Sequence, residues 1–192
     1  MESWKRLLVG LSTVLVVVGA VASIAMHGPN PLLHPSPMLR LSPWLRESLS
    51  ATLGIVFGVA TVAATRWSVR HTRWARRLHR DLRPVAQQLS PGLIVLLALL
   101  SSAGEELLFR SFLTPWVGIV PQALVFGILH QTRGPSRWVW ALWATVIGLA
   151  FGLMYAAIGS LIGPCIAHAL INAINLRFLR DHEVPWDPIE SR

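Results

Sequence analysis

The sequence predicts an all-α, polytopic bundle of transmembrane helices, and three observations carry that reading. Of the 192 residues, 53% are hydrophobic and only 14% carry a formal charge, whereas about a quarter of an average soluble domain is charged. The apolar residues gather into six runs near the length of about 20 residues that crosses a bilayer. The charges that remain are lopsided, 17 Lys and Arg against 9 Asp and Glu for a net +8, and they lie almost wholly between the runs. Disordered and collagen-like classes are excluded by the apolar content, and a disulfide-stapled one because a single cysteine, Cys165, allows no intrachain disulfide.

The elements follow in order. Residues 7–26 are an uncharged run, longer than the 7–15 residues of a signal-peptide core, and read as a retained first span. Residues 27–46 hold five prolines and cannot form a regular helix. Residues 49–65 form a second, somewhat short span. Residues 66–83 carry seven arginines and one acid, Asp81, and read as a basic cytoplasmic loop, with Trp67 and Trp74 as interfacial anchors. Pro84 and Pro91-Gly92 punctuate its end. Residues 93–113 are apolar except for Glu105, Glu106 and Arg110, Pro115 marks a turn, 117–130 forms a shorter span, and 138–157 and 161–179 complete the six. No separate soluble domain fits in the remainder. Residues 1–90 comprise two spans and the basic loop, and 91–180 a core that holds every charged residue and histidine found within a span.

Basic residues cluster on the cytoplasmic side of spans. Placing the N-terminus inside puts Lys5, Arg6, the seven arginines of 66–83, Arg133, Arg137, Arg177, Arg180 and Arg192 inside, and only Arg40 and Arg46 outside. Both termini are therefore expected in the cytoplasm. The positive charge reports orientation and calls for no nucleic acid; the expected partners are membrane lipids and a peptide or membrane-anchored protein substrate. Gly54/Gly58, Gly148/Gly152 and Gly159/Gly163 have the spacing that lets helices approach closely.

A charged group at mid-membrane costs at least about 2.5–3.5 kcal/mol, so three of them in 105–110 require a reason. Glu106 and Arg110 are four apart with the acid first, the favourable order for a helical ion pair. Glu105 is turned about 100° from Glu106 and faces elsewhere, which makes it a functional candidate. Two further spans supply His130, in Phe126-Gly-Ile-Leu-His130, and His168 with Asn172, one helical turn apart. A desolvated carboxylate is an effective base near neutral pH. Glu105 and His130 can activate a water, while His168 and Asn172 donate to the oxyanion formed on a peptide carbonyl. Glu105, His130 and His168 also make a donor set that zinc accepts, although no cofactor is favoured.

Other chemistries find less support. The three aspartates, Asp81, Asp181 and Asp187, lie outside the spans, which excludes an intramembrane aspartyl dyad. His182-Glu183 lacks the second histidine of a zincin. Ser101, Ser102 and Ser160 lack a nucleophile-elbow motif. Cys165 and His168 are three apart, but a cysteine in an apolar helix is usually inert.

The three pieces Glu105-Glu106-x-x-x-Arg110, Phe126-x-x-x-His130 and His168-x-x-x-Asn172 together resemble the motifs of the CAAX protease and bacteriocin-processing family, which includes type II CAAX prenyl proteases and abortive-infection proteins. The resemblance covers about 93–179. It implies a glutamate-type intramembrane endopeptidase in which Glu105 and His130 activate water, His168 and Asn172 stabilise the oxyanion, and Glu106, Arg110 and Phe126 support the site. It also implies bacteriocin maturation or self-immunity as the setting in bacteria, and the arginine-rich composition suits a bacterial inner membrane. Rival readings are a catalytically silent immunity or binding protein of the same fold and a proton-coupled transporter, the latter disfavoured by the lack of inverted halves. Strict span boundaries set His130 near the cytoplasmic end and Glu105 mid-membrane. The sequence therefore predicts either that the 117–130 helix continues past His130 or that the helices shift in depth.

Overall fold

The protein was analysed as a computed structural model that describes residues 2–131 and 134–184; Arg133, Asp187 and Arg192 lie outside them. Seven helices run through the described residues: α1 Ser3–His27, α2 Pro43–His71, α3 Arg73–Gln87, α4 Pro91–Val117, α5 Ile119–Leu129, α6 Arg137–Ile158 and α7 Ile162–Asp181. Five of them, α1, α2, α4, α6 and α7, are long and apolar enough to cross a membrane. The predicted all-α bundle is what forms, with a correction to the count of full-length spans. The sixth, α5, has 11 residues and rises only about 16 Å, half the hydrocarbon thickness.

Two prolines behave differently from expectation. Pro115 does not turn the chain: it sits in the short α-helical stretch that follows the wider turns of 106–113 and continues α4. The turn comes at Gly118, whose φ of +89° suits a residue without a Cβ. Pro84 lies within α3 rather than ending it. The basic 66–83 segment is accordingly the end of α2 plus most of a separate amphipathic helix.

The two ends of the bundle differ. At one, the proline-rich 28–42 segment straps over the α6–α7 turn through its remaining N–H groups: His34 donates to Gly159 at 3.1 Å and Met38 to Ala156 at 2.9 Å, and Leu161 donates back to Leu32 at 2.9 Å. Gly159 is the left-handed end of α6, at φ +85°, and a Cβ there would meet Pro37 at 2.8 Å. It serves the turn, not the helix seam its spacing suggested. At the arginine-rich end, Trp4 and Leu8 of α1 pack with Ile94 and Leu97 of α4 and Leu176 of α7. There α3 lies against α7 with Ala75, Leu78 and His79 buried. His79 Nε2 donates to the His182 carbonyl at 2.9 Å, and Arg83 Nε donates to the same oxygen at 3.2 Å.

Glycine sets the two closest seams. Gly54 and Gly58 of α2 face Gly163 and Ala167 of α7, and Gly148 and Gly152 of α6 face Ala123 and Gln122 of α5. A Cβ on Gly54 would lie 2.8 Å from Gly163 Cα, so no neighbouring side chain can move aside to admit it. Gly54→Val is expected to lower stability by about 1–3 kcal/mol, read as a fall in thermal midpoint in detergent. Burial holds His79 below the ordinary imidazole range. The unfolded chain therefore takes up this proton first as pH falls below about 6.5, and the docking of α3 weakens on that side. Limited proteolysis of α3 should be faster near pH 5.5 than near pH 7.5, and His79→Leu should remove the difference.

Candidate active site

The site is built on α4, where the backbone changes geometry. From Glu106 to Leu113 the helix is π-helical, with Thr114 Oγ1 donating back to the Phe109 carbonyl at 2.9 Å. Such stretches are rare and occur frequently at functional sites. Nothing in the residue types of 106–113 announces it. The widened turn carries Glu106 and Arg110, both with no exposed surface, joined at 3.0 Å between Arg110 Nη1 and Glu106 Oε1. The ion pair expected from their spacing is present.

Three aromatic rings surround the Arg110 guanidinium. Its Cζ lies 4.3 Å from the Phe126 centroid, 5.2 Å from Phe151 and 5.9 Å from Phe109. These negative ring faces meet the charge that Glu106 does not. Phe126, on α5, also lies tilted against His130 with centroids 4.2 Å apart, so one ring links the cation to an imidazole.

His168 of α7 closes the cluster. Its Nδ1 donates to Glu106 Oε1 at 2.7 Å, a bond the sequence reading did not foresee. The other ring nitrogen, Nε2, faces Glu105 Oε2 at 3.8 Å. Both ring nitrogens are thus directed at carboxylates, not at Cys165, which packs with Leu107, Tyr155 and Leu161. On α5, His130 Nδ1 donates to the Phe126 carbonyl at 2.7 Å, which fixes the tautomer and leaves Nε2 facing Glu105 Oε2 at 3.5 Å. Glu105 Oε2 is buried between two imidazoles without a hydrogen-bond partner.

Glu105, His130 and His168 are therefore brought together by one shared oxygen, with Glu106, Arg110 and Phe126 behind them. Asn172 stands one turn along α7 from His168, and its Nδ2 donates to Ser101 Oγ at 3.3 Å. Ser101 is the polar neighbour that sequence reasoning considered only as a nucleophile. Its position four residues before Glu105, on the same helix face, was the available signal. The depth mismatch is resolved by α5. The helix does not continue past His130, which ends it. Being half-length, it delivers His130 to the level of Glu105, midway along the 27-residue α4.

The donor set of Glu105, His130 and His168 has the chemistry of a catalytic zinc site, with each histidine oriented through Nδ1 as metal-bound histidines usually are. Among the described residues, however, no group of three His, Cys, Asp or Glu is gathered closely enough to hold an ion as it stands.

Comparison with known proteins points to the same stretch of chain. Residues 87–174 match the family described as Type II CAAX prenyl endopeptidase Rce1-like, and they contain all three motifs, as the resemblance in the sequence implied. The matched region is just under half of the chain. Over 103 residues the chain is 36% identical to the uncharacterized protein YpbD of Bacillus subtilis (strain 168), an alignment that covers 52% of this chain and 54% of that protein. The chain thus spans about half the length of this curated relative. No solved structure matches.

Removing one member of a buried ion pair strands the other, at a cost of about 3–5 kcal/mol. Arg110→Met is expected to destabilise the bundle by that amount in denaturant titration. Adding Glu106→Gln to it should restore most of the loss, because no buried charge then remains unpaired.

Proposed function

We propose that the protein is an intramembrane endopeptidase that hydrolyses peptide bonds of membrane-associated or lipidated substrates with a water activated by Glu105 and His130. The observation that supports this most is Glu105 Oε2, an unpartnered carboxylate oxygen 3.5 Å from His130 Nε2 and 3.8 Å from His168 Nε2. A water here donates one hydrogen bond to Glu105 Oε2 and the other to the lone pair of His130 Nε2. Both its hydrogens are then occupied and its oxygen lone pair is free to attack. The water oxygen bonds to the carbonyl carbon as Glu105 takes a proton. The oxyanion accepts from Asn172 Nδ2 and from His168 in its imidazolium form, and Glu105 returns the proton to the amine nitrogen as the C–N bond breaks. While Glu105 holds the proton, Arg110 and His168 balance Glu106 and the oxyanion, so the buried cluster carries no net charge.

The family match supports a peptidase at the coarse level, and the glutamate mechanism is our reading of the site. The charge of the arginine-rich end supports a cytoplasmic side for it, which agrees with reading both termini as cytoplasmic and the membrane as a bacterial inner membrane. A substrate in bacteriocin processing or self-immunity follows from the family resemblance alone.

A second reading is carried by the same orphaned oxygen. Glu105, His130 and His168 would hold a zinc ion, which polarises a carbonyl or water when bound. Cleavage of a membrane-peptide library by the purified protein separates these cases. Glu105→Gln and His130→Ala should each lower turnover by about 10²–10⁴-fold and Asn172→Ala by about 10²–10³-fold, without change in thermal midpoint. Activity that survives Glu105→Gln contradicts the mechanism, and loss of activity on chelation, restored by zinc, selects the metal reading.

A further inference from the structure

A groove of about 590 Å³ opens at the arginine-rich end, lined from α2, α4 and α7. Its size lies within the range of small-molecule sites, and its walls are apolar: Ile94 and Val95 from α4, Ile174 and Phe178 from α7. Val95 is 53% exposed. Two guanidinium groups stand over these walls. Arg66 lies across the Phe178 ring, with Cζ 4.9 Å from the centroid, and Arg177 projects with 70% of its side chain exposed.

One acid shares the rim. Asp181 lies 3.7 Å from Arg177 Nε, but Arg180, which is not part of the groove lining, already engages both Asp181 oxygens at 2.7 and 3.1 Å. The net charge presented to the groove is therefore that of Arg66 and Arg177. A hydrocarbon-lined slot beneath two cations, at the end where three helices leave the apolar zone, matches a phosphate attached to an acyl chain.

We propose that this groove is a specific site for one anionic phospholipid, its phosphate between Arg66 and Arg177 and one chain along Ile94, Val95 and Ile174. The site is separate from Glu105 and its neighbours and does not depend on the peptidase reading. Ile174 and Arg177 follow Asn172 on α7 within about a turn and a half, so the bound lipid packs against the two helices that carry Ser101 and Asn172.

Native mass spectrometry of the full chain in detergent, titrated with phosphatidylglycerol, phosphatidylcholine or inorganic phosphate, tests this. The expected result is one phosphatidylglycerol bound about tenfold more tightly than phosphatidylcholine, with no competition by phosphate alone. R66Q/R177Q should abolish that preference. R70Q/R77Q, which removes the same charge outside the groove, should leave it unchanged. Equal losses in the two double variants would show diffuse attraction to the basic end and overturn the site. Competition by phosphate, or equal binding of phosphatidylcholine, would overturn the phospholipid assignment.

Discussion

Two full charges, Glu106 and Arg110, are buried without exposed surface in a helix that crosses an apolar bundle, and the arrangement around them follows from the need to satisfy both. Arg110 has one carboxylate partner and three aromatic faces, contributed by α4, α5 and α6. Glu106 spends the same oxygen on Arg110 and on His168 of α7. Four helices are tied to one ion pair. In a low dielectric none of these partners can be dispensed with, because an uncompensated charge costs far more than a lost neutral contact.

The functional geometry is a by-product of that satisfaction. His168 is oriented by Glu106 through one nitrogen and so turns the other toward Glu105. Phe126 covers Arg110 and simultaneously packs on His130, whose tautomer is fixed by the Phe126 carbonyl. Glu105, next in chain to the buried Glu106, is left with an oxygen facing two imidazoles. The close helix approaches made at Gly54–Gly163 and Gly58–Ala167 hold α2 against α7, and the strap over the α6–α7 turn fixes the start of the helix that carries His168 and Asn172.

Much of this was legible in the residues. Glu105, Glu106 and Arg110 stand out because they break an apolar run, and the four-residue spacing that pairs Glu106 with Arg110 also turns Glu105 away. The glycine spacings named two of the seams. What was not legible has physical reasons. Apolar composition marks 117–130 for the membrane but not that its helix has only 11 residues, so the level at which His130 meets Glu105 could not be read from it. Pro115 was an attractive breaker, yet it stands where the π-helical stretch passes into a short α-helical turn, and the chain turns three residues later where Gly118 permits a positive φ. The π-helical stretch leaves no mark in composition. Ser101 was overlooked as a partner of Asn172 because serine within a helix is unremarkable until its face is compared with that of Glu105.

The central claim is that the Glu106–Arg110 pair holds Glu105 and His130 so that water attacks the peptide carbonyl directly. Single-turnover cleavage in ¹⁸O-labelled water with hydroxylamine present measures this. The account predicts a product acid carrying one ¹⁸O and no hydroxamate. Trapping of a hydroxamate would reveal an acyl-enzyme and contradict the account.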